Sequence, residues 1–195
     1  MPRVLAVNNY PTNDRFGRLR RCLEENGAQV TVAGWNECSP SLFGGFDGVA
    51  LSGSPDMMSR PATVQKYRKE VEAMAEVTVP TLGVCFGHQL MAVAFGSRVV
   101  EDGRPVLDFV RTDILGRDPI WQGLPRSLML LESRHEVVES LPEDFVLEAR
   151  SSTSPIAAMK HRKLPLYGVQ FHPERWTTKN PDGNGVVANF VRLLR

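Results

Sequence analysis

Short, almost unbroken apolar runs alternate with helix-period segments through the first half of the chain. That alternation constrains the fold more than any other feature. Arg3–Asn8 (RVLAVN) reads as a first buried strand. Asn13-Asp14 then suits the cap of a helix with Phe16, Leu19, Cys22 and Leu23 on its apolar face and Gly27 at its end. Residues 30–33 read as a second strand. Gly48–Leu51 (GVAL) reads as a third, stopped by Ser52-Gly53-Ser54-Pro55. Val64, Tyr67, Val71 and Met74 recur on one helical face. Residues 80–84 form a further apolar strand, and residues 89–95 a helix closed by Gly96. Strands that are apolar on both sides and separated by helices belong in a parallel sheet covered on both faces.

The second half changes character. Val99–Ile114 and residues 128–138 alternate less cleanly and include a turn signal, Asp102-Gly103-Arg104-Pro105. Residues 145–149, 156–159 and 166–171 read as further strands, some of them antiparallel. Val187, Phe190, Val191 and Leu194 mark a closing amphipathic helix. With no repeat, low-complexity tract or linker, the 195 residues read as one domain, 1–195. A net charge of +1 supplies no field for nucleic acid or an anionic membrane. The opening apolar run is too short for a signal peptide, and no later run is long enough to span a bilayer. Three cysteines, Cys22, Cys38 and Cys85, show neither a paired framework nor zinc spacing. A reducing, cytoplasmic setting follows, with room for one chemically active thiol.

Cys85 is the candidate for that thiol. In Gly83-Val84-Cys85-Phe86-Gly87-His88-Gln89 it stands where a buried strand turns abruptly into a helix. Glycines two residues to either side permit a tight, strained elbow that presents a nucleophile at the carboxyl edge of the sheet. The adjoining helix N-terminus favours a thiolate. A cysteine at a strand end serves equally as a small apolar core residue. A thiol nucleophile also needs a base. His172 lies in Gly168-Val169-Gln170-Phe171-His172-Pro173-Glu174, another strand running into a tight turn. Glu174 can project from the same turn and orient the imidazole. A structural histidine beside a surface glutamate would give the same pattern. Of the other histidines, His161 reads as solvated in the basic turn Lys160-His161-Arg162-Lys163, and His88 as a packing residue. His135 is ambiguous by spacing. Gly53 could offer a main-chain N–H to an oxyanion, with Phe86 as the second donor. An ordinary turn explains that loop as well.

Together these stretches resemble the class I (triad) glutamine amidotransferases. The family's nucleophile stretch is matched by Gly83, Cys85, Gly87 and Gln89, and its Phe-His-Pro-Glu stretch by Phe171, His172, Pro173 and Glu174. The resemblance extends over nearly the whole chain. It implies an open, mostly parallel flavodoxin-like sheet with helices on both faces and a few antiparallel strands. It implies hydrolysis of the glutamine side-chain amide to glutamate and ammonia, with Cys85, His172 and Glu174 as the triad and Gly53 and Phe86 as oxyanion donors. Gln89 and the segment Arg134, His135 and Glu136 match the part of the family site that grips the substrate. No metal or organic cofactor is implied. A separate synthetase chain is implied as the recipient of ammonia. The Ser-Gly-Ser-Pro loop and Ser-x-His segment lean toward the amidotransferases of GMP synthetases over those of anthranilate synthases.

Two positions depart from the family pattern. Ser54 stands where a second glycine is common, which matters if that residue takes a positive φ. Arg134 stands where a small or neutral residue is usual, and an exposed guanidinium there would grip a substrate carboxylate or a partner. Other readings are a stand-alone γ-glutamyl hydrolase of the same fold and a non-catalytic binding or regulatory module. A degenerate module should have lost a triad residue, and none is missing. The Phe-His-Pro-Glu turn argues against a cysteine protease of similar elbow geometry.

Overall fold

A computed structural model describes residues 1–195, the side chains of Asn13 and Asp14 excepted. The capping role read for those two side chains lies outside the described residues. The chain runs β1 (Arg3–Asn8), α1 (Asn13–Glu25), β2 (Gln29–Gly34), α2 (Pro40–Gly44), β3 (Gly48–Leu51), α3 (Pro61–Lys66), α4 (Arg68–Glu76), β4 (Thr81–Val84) and α5 (Phe86–Ala94). It continues through β5 (Val99–Ile114), β6 (Ser127–Val138), β7 (Phe145–Ser151), β8 (Ala158–His161), β9 (Leu166–Val169) and α6 (Asp182–Leu193).

These strands form one sheet in the order β2-β1-β3-β4-β9-β8-β7-β5-β6. The ladders from β2 to β9 are parallel, and those from β9 to β6 are antiparallel. The parallel half follows from side-chain alternation on central strands buried on both faces, β3, β4 and β9 throughout and β1 through its middle, with the more exposed β2 at the edge. Val4 and Ala6 of β1 face one way and meet Phe16, Leu19, Phe190 and Val191 of α1 and α6. Leu5 and Val7 face the other way, with Phe43, Met74 and Leu90 from α2, α4 and α5. The sheet curls strongly, so that its last strand returns toward β9. The His172 N–H donates to Leu131 O of β6 at 2.7 Å. Among the described residues, no helix is long and apolar enough to cross a membrane.

Three expectations need correction. The single helix read through Val64 and Met74 is two, α3 and α4, broken at Tyr67, whose backbone leaves the helical region (φ −94, ψ 15). There the Tyr67 hydroxyl lies 2.9 Å from an Asp56 oxygen and 3.2 Å from Asn9 O, with its one proton to share between them, and these contacts tie down the break. The Asp102-Gly103-Arg104-Pro105 signal does not end a strand. β5 continues through it, and the register shifts between Glu101 and Val106. His161 is buried, not solvated: its ring packs edge-on against Phe95 and Phe145. Its Nδ1 accepts the main-chain N–H groups of Lys163 and Leu164 at 3.1 and 3.0 Å. Burial pulls its pKa below the ordinary value.

Candidate active site

Parallel strands deliver their carboxyl ends to one edge of the sheet, and loops from those ends share a crevice. β1 ends in Asn9 and Tyr10, β3 in Ser52, Gly53 and Ser54, β4 in Cys85, and β9 in the run from Gln170 to Glu174. The two sequence motifs therefore deliver Cys85, His172 and Glu174 to the same edge.

Cys85 sits between β4 and α5 with φ 51 and ψ −99, the one non-glycine residue with positive φ among the described residues. Such a backbone costs on the order of 1–3 kcal/mol and persists only where its surroundings enforce it. The surroundings here are two glycines. A Cβ on Gly83 would lie 2.6 Å from Gly87 O, and a Cβ on Gly87 would lie 2.6 Å from Leu51 Cβ. Glycine is needed at both positions for β4, α5 and the end of β3 to meet so closely. α5 starts at Phe86, three residues before its expected start at Gln89. The first N–H groups of such a helix have no intrahelical partner.

The Cys85 sulfur is 3.6 Å from Ser133 O of β6 and 3.6 Å from Gln170 Nε2. On its other side, His172 Nδ1 and Glu174 Oε1 are 2.8 Å apart and both side chains are 4% exposed. Glu174 Oε2 has no partner among the described residues. Burial alone would pull the His172 pKa down, but the charges of Glu174 and Cys85 and its hydrogen bonds outweigh it and raise it to about 10. Burial pushes Cys22 up to about 12 and Cys38 higher still, so both stay protonated at neutral pH. His88 is wholly buried behind the elbow, with a pKa lowered by burial to about 4.

Gly53 lies against the imidazole, since a Cβ there would stand 3.0 Å from His172 Cε1 and 2.5 Å from the Tyr10 hydroxyl. Gly53 and Ser54 do not have positive φ, so serine at 54 carries no backbone strain. Ser54 Oγ instead accepts the Asp56 N–H at 3.1 Å and lies 3.2 Å from the Tyr67 hydroxyl.

A cavity of about 180 Å³ opens beside Cys85, lined by Gln89, Ser54, Asp56, Arg15 and the 133–136 stretch of β6. A neighbouring space of about 260 Å³ shares Arg15, Ser54 and Ser133 and reaches His172 and Arg175. Gln89 Nε2 donates to Glu136 O at 3.1 Å and to Gln170 Oε1 at 3.3 Å. His135 is exposed at the rim. The Glu136 carboxylate accepts the N–H groups of Met58 and Ser59 at 2.7 and 3.0 Å, pinning the loop after β3.

The expectation of an exposed Arg134 guanidinium is corrected. Its side chain is 1% exposed, paired with Glu132 at 3.0 Å and Asp102 at 2.6 Å. It also donates to Ser154 Oγ and Thr153 O. Alternation along β6 places residues 132, 134 and 136 on the inner face, where acceptors surround the Arg134 guanidinium. Only its backbone reaches the crevice. Tyr10 and Gln170 belong to the site and escaped the sequence reading. Their signal was position at the carboxyl ends of parallel strands.

Residues 8–193 match the model of the glutamine amidotransferase class-I family. A subunit of the glutamine-hydrolyzing GMP synthase of Pyrococcus abyssi is 42% identical over 146 residues, covering 75% of this chain and 74% of that protein. Aminodeoxychorismate synthase of Streptomyces griseus is 37% identical over 198 residues, covering 98% of this chain and 26% of that protein. The crystal structure of a GMP synthase subunit from Thermoplasma acidophilum superposes with a TM-score of 0.87 at 27% identity, covering 100% of this chain and 94% of that one.

Proposed function

Because the chain belongs to the glutamine amidotransferase class-I family, we propose that it hydrolyses the glutamine side-chain amide through Cys85, His172 and Glu174 and passes ammonia to a separate acceptor-activating protein. The observation that carries this reading is the buried His172–Glu174 pair, 2.8 Å apart, facing a cysteine held at φ 51. A purely structural cysteine needs no such backbone.

The mechanism follows from the donors present. The Cys85 thiolate attacks the amide carbon, and the carbonyl oxygen takes the negative charge. The N–H groups of Gly53 and Phe86 stabilise that oxyanion. His172 holds its Nδ1 against Glu174, which leaves Nε2 to give its proton to the departing nitrogen. Ammonia leaves and a γ-glutamyl thioester remains. Nε2 then takes a proton from water, hydroxide attacks the thioester, and glutamate departs as the sulfur is released. A histidine pKa raised to about 10 suits the first of these steps, since the imidazolium is the form that protonates the leaving group. Gln89 and the main chain of Arg134, His135 and Glu136 border the space for the rest of the substrate, and the Arg134 guanidinium takes no part.

The chain reads as one such domain, acting in a reducing, cytoplasmic setting. Relatives named as subunits of GMP synthase support a synthetase as partner. The likeness to aminodeoxychorismate synthase makes a second acceptor worth testing. Mass spectrometry after treatment with a glutamine-mimicking electrophile tests the site. One adduct on Cys85, absent from Cys85→Ala, is expected; labelling of Cys22 or Cys38 with equal turnover in Cys85→Ala would refute the reading. Glutamine-dependent amination on adding the acceptor protein of a GMP synthase or of an aminodeoxychorismate synthase then identifies the partner.

A further inference from the structure

Glu70 on α4 is wholly buried and forms no ion pair among the described residues. Its Oε1 accepts a hydrogen bond from Asn9 Nδ2 at 3.1 Å. The same Asn9 amide group donates to Ser52 O at 3.3 Å, and the Asn9 main-chain N–H donates to Ser52 Oγ at 2.9 Å. Ser52 Oγ donates onward to Gly53 O at 2.9 Å. A continuous path therefore runs from α4 through the end of β1 to the loop beside His172. Two acceptors around Nδ2 fix which end of the Asn9 amide is nitrogen.

Two atoms of this path have no partner among the described residues: Glu70 Oε2 and Asn9 Oδ1. Buried polar atoms seldom stay unpaired. They belong to the same two groups that Oε1 and Nδ2 already join. A proton on Oε2 would let the carboxyl donate to Oδ1 while Oε1 accepts from Nδ2, which would satisfy both orphans. An ionised carboxylate would supply a donor to neither.

We propose that Glu70 is a positioning residue that works as a neutral carboxylic acid, locked to Asn9, and holds Ser52 so that the Gly53 N–H faces the reacting carbonyl. The inference rests on the reading of Gly53 as an oxyanion donor. The surroundings agree with it. Burial raises the Glu70 pKa to about 8, opposed only by the Asn9 hydrogen bond. The titratable groups facing it are Tyr67, between α3 and α4, and Cys38, ahead of α2. Burial raises the pKa of both, so neither supplies a charge. Above its pKa, Glu70 ionises with no cation to meet it, the acid–amide pair opens, and the Gly53 loop loses its anchor.

The test compares kcat and KM of wild type, Glu70→Gln and Glu70→Ala from neutral to alkaline pH. Glutamine in place of Glu70 supplies the same donor and acceptor at every pH. Wild type should lose kcat as pH passes about 8, with KM little changed. Glu70→Gln should keep most of the neutral activity and lack that alkaline limb. Glu70→Ala should fall toward the roughly hundredfold loss in kcat that removal of an oxyanion donor brings. Infrared difference spectra of wild type against Glu70→Gln should show a carboxylic-acid C=O band, a readout that stands even if Glu70→Ala does not fold. An unchanged alkaline limb in Glu70→Gln, or no acid band, would overturn the proposal. The Cys85 adduct is measured on the same samples. Its absence from wild type would sink the enzymatic reading, while its presence with an unchanged limb sinks only the role of Glu70.

Discussion

Gly83→Ala tests whether the nucleophile elbow is held shut by the lack of a side chain. The added Cβ would lie 2.6 Å from Gly87 O, 2.7 Å from Gly87 C and 2.9 Å from His88 N. All three are backbone atoms, so no rotamer change relieves the clash. Ordinary contact begins near 3.4 Å, so β4 and α5 must part by about 0.8 Å (3.4 − 2.6). Overpacking of this kind costs about 1–3 kcal/mol. For a chain of this size that is roughly 2–12 °C in Tm. Cys85 lies between the two parting elements, and a misplacement near 1 Å costs roughly 10- to 100-fold in rate. Calorimetry and ammonia release from glutamine measure the two effects on one preparation. Gly17→Ala is the control: a Cβ there meets nothing within 4 Å, and the helix should gain about 0.5–1 kcal/mol. A Gly83→Ala protein with wild-type Tm and turnover would show that the elbow is not set by this contact.

Glu174→Gln should cost kcat less than the roughly 10²–10⁴-fold expected for loss of the general base. It should also change the pH dependence of stability. The folded pKa of His172 is raised from 6.5 to about 10, so its contribution is complete below 6.5 and fades as pH rises toward 10. The slope is up to about 1.4 kcal/mol per pH unit. With Glu174 neutral, its charge no longer opposes burial, and denaturant titrations should show that slope reduced relative to wild type; identical slopes would refute the pairing. Arg134→Ala strands a buried Glu132 and should destabilise by about 3–5 kcal/mol while kcat/KM of the folded fraction changes little. Loss of glutamine affinity at unchanged stability would return the guanidinium to the substrate site.

The sequence was most legible where chemistry is local. β1 and β3 occupy the expected residues, because an unbroken apolar run flanked by turn residues has one reasonable reading. The Cys85 elbow and the His172-Pro173-Glu174 turn were visible because the residues that mark them are close together in the sequence. What stayed hidden depends on distant partners. The break at Tyr67 is fixed by Asn9 and Asp56, which no helical period reveals. The inward turn of Arg134 depends on Asp102 and Ser154, 32 and 20 residues away. His161 looked solvated among Lys160, Arg162 and Lys163, yet the aromatic rings that cover it arrive from the residue that caps α5 and from β7.

The curl of the sheet brings β6 back to the crevice with its peptide groups facing Cys85, while the Arg134 and Glu136 side chains turn elsewhere. A wall built of main chain offers a bound molecule the same groups whichever side chains it carries, and here the buried Arg134 and Glu136 are held in place by their own partners. An inhibitor anchored to those peptide groups would therefore leave few escape mutations open, whereas one that relied on the exposed His135 at the rim could be evaded by a single codon.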